Sequence, residues 1–144
     1  MIYTPLTKKA IQIMFDAHKE QKDKSNLPYV FHPFMVAKDF KDEDCCVVAL
    51  LHDVIEDSDY TLEDLKQAGF SPKQLEALQL LTHSDDEDYF DYILRIKTNP
   101  IAKKVKLADL KHNSDLDRFD VISGEVLIRH AKYVKARKML NDEI

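Results

Sequence analysis

Only two glycines, Gly69 and Gly124, occur among 144 residues, and that scarcity limits the fold before any other feature does. Tight hairpins draw on Asn-Gly and Asp-Gly turns, which the chain lacks, and no segment sustains the alternation of a half-buried strand. The glycine-rich phosphate cradle and the dinucleotide fingerprint need several glycines at fixed positions, so both are excluded. Any phosphate site here must be built from side chains and a metal.

Helical signals fill the gap. From Thr7 to about Gln21, Ala10, Ile13, Met14 and Ala17 fall on one stripe. Pro33 suits the first turn of a helix carrying Val36, Ala37 and Phe40. Asp44 to about Ile55 is apolar nearly throughout until His52, the mark of a central buried helix. Thr61 caps a short helix that Gly69 ends, and Ser71-Pro72-Lys73-Gln74 is a capping box opening a helix through Leu81. Further helices are expected from Asp85 to about Lys97, Pro100 to about Asn113, and Gly124 to Asn141. The acidic run Asp85-Asp86-Glu87-Asp88 reads as a solvated helix start, with Ser84 and Glu87 as its capping box. His83 and His130 read as structural or exposed. The expectation is one all-α domain over residues 1–144, a bundle of about seven helices.

Composition narrows the partners. A hydrophobic fraction of 44% and a charged fraction of 33% describe a globular chain able to build its own core. A net charge of −5 argues against nucleic acid as the main partner but leaves room for a phosphorylated small molecule at a local positive site. No apolar run is long enough to span a membrane and no secretory leader is visible, so the cytoplasm is the expected compartment. Cys45 and Cys46 are adjacent in a helical run, where side chains point about 100° apart, a poor geometry for bridging. They read as small core residues in a reducing environment.

His52-Asp53-Val54-Ile55-Glu56-Asp57 is the most informative segment. On a continuous helix its histidine and carboxylates spread over about 140°, with His52 over Glu56 and Asp53 over Asp57. Carboxylates this close repel one another and lose solvation when buried, and a divalent cation relieves both costs. The alternative is a polar helix end emerging into water. Asp109 lies on the stripe of Ile101, Val105 and Ala108, with His112 and Asn113 one turn on. A carboxylate there needs a strong partner, either a cation or a Lys or Arg side chain. His32 is the one polar side chain in Pro28-Tyr29-Val30-Phe31-His32-Pro33-Phe34, and taken alone it reads as a satisfied core histidine. Together, two histidines and two aspartates suit Mn²⁺, Fe²⁺ or Zn²⁺.

The set His32, His52-Asp53 and Asp109 resembles the signature of the HD superfamily of metal-dependent phosphohydrolases. The local contexts resemble the (p)ppGpp hydrolase domain of RelA/SpoT-type alarmone enzymes. The matching stretches are His18-Lys19-Glu20-Gln21, Lys24-Ser25, Pro28 to Pro33, Ala49 to Asp57, and Val105 to Asp109 with His112-Asn113. The resemblance spans Ala10 to Asn113. It implies that His32, His52, Asp53 and Asp109 hold the metal, usually Mn²⁺ in this branch. It also implies that Glu56 and Asp57 position or deprotonate the attacking water. Lys24 and Ser25 would stand at the nucleotide entrance, with Asn113 near the sugar. His18 and His112 lie in matching stretches, where a ligand-orienting role fits.

Two positions depart from the pattern. The alarmone hydrolases have an arginine that packs on guanine where this chain has Asp23, and an Arg-Thr pair where it has Asp115-Leu116. Both lie on the base and ribose side of the pocket, away from the metal. With no room for a synthetase domain in these residues, the expected activity is breakdown of a phosphorylated nucleotide. The alternatives are hydrolysis of another phosphorylated metabolite, or a nucleotide-sensing module without turnover. The residues leave the oligomeric state open.

Overall fold

A computed structural model describes residues 1–142. Its α-helices are α1 Pro5–His18, α2 Phe31–Ala37, α3 Glu43–Leu51, α4 Val54–Asp57, α5 Leu62–Gln67, α6 Pro72–Leu81, α7 Tyr89–Ile96, α8 Pro100–Asn113 and α9 Gly124–Leu140. A 3-10 turn, Leu116–Arg118, lies between α8 and α9. Among the described residues there is no sheet, only a single bridge between Lys22 and Pro28.

Short polar side chains set the helix starts. Thr4 and Thr7 form a reciprocal capping box before α1, as do Thr61 with Asp64 before α5 and Ser71 with Gln74 before α6. Asp42 accepts from the Cys45 amide at 2.9 Å, Asn99 caps α8, and Ser123 caps α9. Gly69 ends α5 at φ 103°, a conformation that a Cβ would strain.

α3 is the axis. Every residue from Cys45 to Leu51 is buried, and α1, α2, α6 and α8 pack around it. Burying each of these leucines stabilises by about 1.5–3 kcal/mol. Gln74 of α6 donates to the Asp44 carboxylate at 2.9 Å and fixes the neighbouring helix. α8 is the second axis, in contact with α2, α3, α6, α7 and α9. Both cysteines are free and buried, and burial pushes the Cys45 thiol up to about 12.

The all-α expectation holds, but the described residues contain nine helices rather than about seven: the segments read from the sequence are themselves eight, and one of them is broken in two. The continuous run expected over Asp44 to Ile55 stops at Leu51 and restarts at Val54, with Asp53 at φ −107°, ψ 0°. The break brings His52 Nε2 to 3.1 Å from Asp53 Oδ2. The helix expected from Asp85 begins only at Tyr89. Asp88 takes the cap by accepting from the Phe90 and Asp91 amides, both at 3.1 Å. Glu87 is drawn instead to the Arg95 guanidinium, at 2.7 and 2.9 Å, so the Ser84–Glu87 capping box does not form. α1 ends at His18 rather than near Gln21, because Gln21 turns back to hydrogen-bond His18.

The two glycines give a test of opposite sign. Gly69→Ala should cost about 1–2 kcal/mol, because its backbone is left-handed. Gly124→Ala, at the start of α9 with open space around it, should be neutral or stabilise by up to about 1 kcal/mol. Urea unfolding of the two variants measures both.

Candidate metal centre

His52 is buried just past the end of α3, and its Nδ1 lies 2.6 Å from the Ala49 carbonyl. A backbone carbonyl only accepts, so Nδ1 carries a proton and Nε2 is the nitrogen left to face the carboxylates. That Nε2 has no hydrogen-bond partner, although Asp53 Oδ2 lies at 3.1 Å and Asp109 Oδ1 at 3.4 Å. Facing two carboxylates, that nitrogen needs positive charge, from a second ring proton when no metal is bound or from a cation held in the proton's place. This orphaned nitrogen is the observation that fits a metal.

His32, on the first turn of α2, brings Nε2 to 2.8 Å from Asp109 Oδ1. Its other nitrogen meets His112 Nδ1 at 2.6 Å, with the two rings stacked. Burial, followed by the Arg118 guanidinium, pushes His112 down to about 4, so it is neutral and can accept from His32. Donor atoms of His32, His52 and Asp109 all lie within 4.8 Å of one another. Asp53 stands at the rim of this group: it reaches His52, and its Oδ2 accepts from the Tyr29 hydroxyl. Burial pushes Tyr29 well above its usual range, so it stays a donor.

Asp109 meets both of its expected kinds of partner. Lys106, one turn back on α8, donates to Oδ2 at 2.8 Å, and Asn113 Nδ2 donates to Oδ1 at 3.0 Å. The Lys106 side chain is 11% exposed and lies over the rings of Tyr89 and Tyr92. Burial alone would raise the Asp109 carboxyl, but Lys106 and the two histidines hold it well below its ordinary value. Burial would likewise lower His52, and the Asp53 and Asp109 charges outweigh it and hold it high.

Glu56 and Asp57, on α4, are each held by another element. Glu56 Oε1 accepts from the His83 amide, and Asp57 Oδ2 accepts from Gln21 Nε2 at 3.2 Å. Burial raises both carboxyls, and the Asp53 charge raises them further. His83, read from the sequence as structural or exposed, anchors Glu56 through its backbone amide.

Lys24, Ser25 and Asn113 line a single cavity of about 290 Å³ that reaches His32. Tyr29, Arg118, Phe119, Arg129 and Tyr133 complete much of its wall, and no sequence motif had marked the last four. Asp23 lies on its rim, 3.6 Å from Arg118. Glu56 and Asp57 are not part of this wall.

The fold and site define an all-helical protein with a buried two-histidine, carboxylate cluster suited to a divalent cation. By sequence, the chain is a relative of the SpoT-type guanosine-3′,5′-bis(diphosphate) 3′-pyrophosphohydrolases. It is 36% identical to the Haemophilus influenzae protein of that name over 112 residues, which are 68% of this chain and 16% of that one. The Aquifex aeolicus protein is 30% identical over 117 residues, covering 73% and 17%. The bifunctional (p)ppGpp synthase/hydrolase SpoT of Escherichia coli is 33% identical over 120 residues, covering 74% and 17%. The chain thus spans about a sixth of the length of the curated relatives it matches. A solved structure, of a metazoan SpoT ortholog described as hydrolysing ppGpp, shares the fold at TM-score 0.76 and 24% identity, over 97% of this chain and 87% of that one. No protein-family model matches the chain.

Removing one partner of a buried charge pair strands the other, at a cost of roughly 3–5 kcal/mol. Chelator-treated Lys106→Met should therefore unfold at markedly lower urea than the wild type. A saturating divalent cation should recover part of the loss by supplying positive charge beside Asp109. Unchanged unfolding in chelator would mean that Asp109 does not depend on Lys106.

Proposed function

We propose that this chain is an HD-type, Mn²⁺-dependent pyrophosphohydrolase acting on guanosine alarmones in the cytoplasm. The observation that carries the reading is the unpartnered, buried His52 Nε2 facing Asp53 and Asp109 beside His32. In this reading His32, His52, Asp53 and Asp109 hold the metal, and the mixed nitrogen and oxygen donors suit Mn²⁺. Support for the substrate comes from the relatives named above. Two free buried cysteines fit a reducing compartment, and no helix among the described residues is long and apolar enough to cross a membrane.

His32, His52, Asp53 and Asp109 would hold a divalent cation, which would supply Lewis-acid chemistry by drawing charge from a phosphoryl oxygen and easing deprotonation of water. The chain's own residues do the rest. Glu56 has Oε1 occupied by the His83 amide, which leaves Oε2 to take the proton of the attacking water. Its raised pKa brings it nearer neutrality, where a general base works best. Asp57, fixed by Gln21, orients that water with its free oxygen. Tyr29 holds Asp53 in place through its hydroxyl. Lys24 meets the negative substrate at the mouth of the cavity, Ser25 lines the same entrance, and Asn113 sits near the sugar. The water oxygen bonds to the phosphorus next to the ribose, and the bond from that phosphorus to the ribose 3′ oxygen breaks. The ribose oxygen leaves as a hydroxyl with a proton returned by Glu56 or solvent, while the phosphoryl pair with the water oxygen departs as pyrophosphate.

The test is a Mn²⁺-supplemented panel of alarmones, nucleoside mono-, di- and triphosphates and simple phosphomonoesters, scored by phosphate and pyrophosphate release. Pyrophosphate release from ppGpp is expected. Glu56→Gln should keep the metal and lower turnover by a factor of ~10² or more. Because Glu56 must be ionised to act, activity should fall as pH drops through its raised pKa, and the variant should lack that acid limb. Full turnover in Glu56→Gln would reduce Glu56 to a neighbour. Metal and nucleotide binding with no turnover anywhere on the panel would make the chain a sensing module.

A further inference from the structure

The cavity beside His32 contains an arginine that the sequence motifs do not mark. Arg118 ends the 3-10 turn after α8 and shares the wall with Phe119, Tyr133, Lys24 and Arg129. Its guanidinium is pinned from two sides. Nη1 donates to the His112 carbonyl at 2.9 Å, and Nη2 lies 3.6 Å from Asp23 Oδ2.

Asp23 is fixed in turn. Its Oδ1 accepts from the Ser25 amide at 2.8 Å and the Leu27 amide at 3.0 Å, which leaves Oδ2 to face Arg118. Ser25 Oγ leans on the Arg118 carbonyl at 3.5 Å. One carboxylate therefore ties the loop before α2 to the turn after α8, and Arg118 is the group it aims.

An arginine with its charge offset by a carboxylate and its edge engaged is poorly placed to bind phosphate. What it still offers is a flat, weakly hydrated face, which stacks on aromatic rings. Lys24 and Arg129, with no ion-pair partner among the described residues, supply the free positive charge of the same cavity. The neutralised cation of this cavity and its free cations are thus different residues.

We propose that Arg118 holds the nucleobase by stacking its guanidinium on the ring, with Asp23 as its positioning residue. This rests on the reading of the cavity as the nucleotide end of a pyrophosphohydrolase site. The acidic residue at position 23 then does not remove the base-stacking cation from the pocket. It anchors one that arrives from a different part of the chain.

Calorimetric titration of guanosine 5′-diphosphate into the full chain in Mn²⁺ buffer tests this, with inorganic pyrophosphate as a probe that lacks a base. Arg118→Ala should weaken guanosine diphosphate binding roughly tenfold, within the range of a cation–π contact, and leave pyrophosphate binding unchanged. Arg118→Lys should recover little, because an ammonium has no flat face. Asp23→Asn keeps an acceptor for the Ser25 and Leu27 amides but drops the charge, and should weaken the nucleotide by a smaller factor. The double variant should bind no worse than Arg118→Ala alone, since the two act through one contact. Additive losses, an unchanged Arg118→Ala, or a wild type that does not bind guanosine diphosphate would overturn the proposal. Pyrophosphate release from ppGpp, followed in parallel, separates the two readings. A wild type that binds the base through Arg118 but releases nothing contradicts only the enzymatic reading. A wild type that turns over while Arg118→Ala keeps its KM contradicts only this inference.

Discussion

Asp109 carries a negative charge inside a helical core, and the arrangement around it follows from that fact. A carboxylate removed from water must gather compensating groups or give up its charge. This one gathers Lys106, His32, Asn113 and the neighbouring His52 from α2, α8 and the segment just past α3. These three elements pack directly on one another, so the core that stabilises the bundle also fixes the distances of the cluster. One atom in it stays without a hydrogen-bond partner, His52 Nε2, and a cation at that point would complete the balance.

The helices were largely legible because their determinants are local. A cap, a proline in the first turn and an apolar stripe all lie within a few residues of what they control. Thr61, Ser71 and Asn99 mark their helices for that reason. The boundaries that misled are those set at a distance. Arg95 captures Glu87 and shifts the start of α7, while His32 and Asp109 lie across the gap that His52 and Asp53 turn toward where α3 breaks. Periodicity assumes an undisturbed helix and has no means of registering such a pull.

The site divides the same way. His32, His52 and Asp109 could be picked out because each is a polar residue out of place in an apolar stretch, and the fold brings them together. Lys106 was within reach of the same logic, three residues before Asp109 on one helix, and its burial over two tyrosines gives it weight. Arg118 was not. Its partners Asp23 and Ser25 lie on a loop more than 90 residues earlier, and only the packing of that loop beside the turn after α8 makes the contact. An exposed-looking Leu-Asp-Arg segment gives no local sign of facing a cavity.

The central claim is that the cluster is a metal site on which hydrolysis depends. Elemental analysis of the purified chain, after dialysis against a weak chelator and again after a strong one, measures this directly. The account predicts about one first-row transition metal per chain after the first step, its loss in His52→Ala and Asp109→Ala, and loss of pyrophosphate release along with the metal. A metal-free chain that still releases pyrophosphate from ppGpp would contradict it.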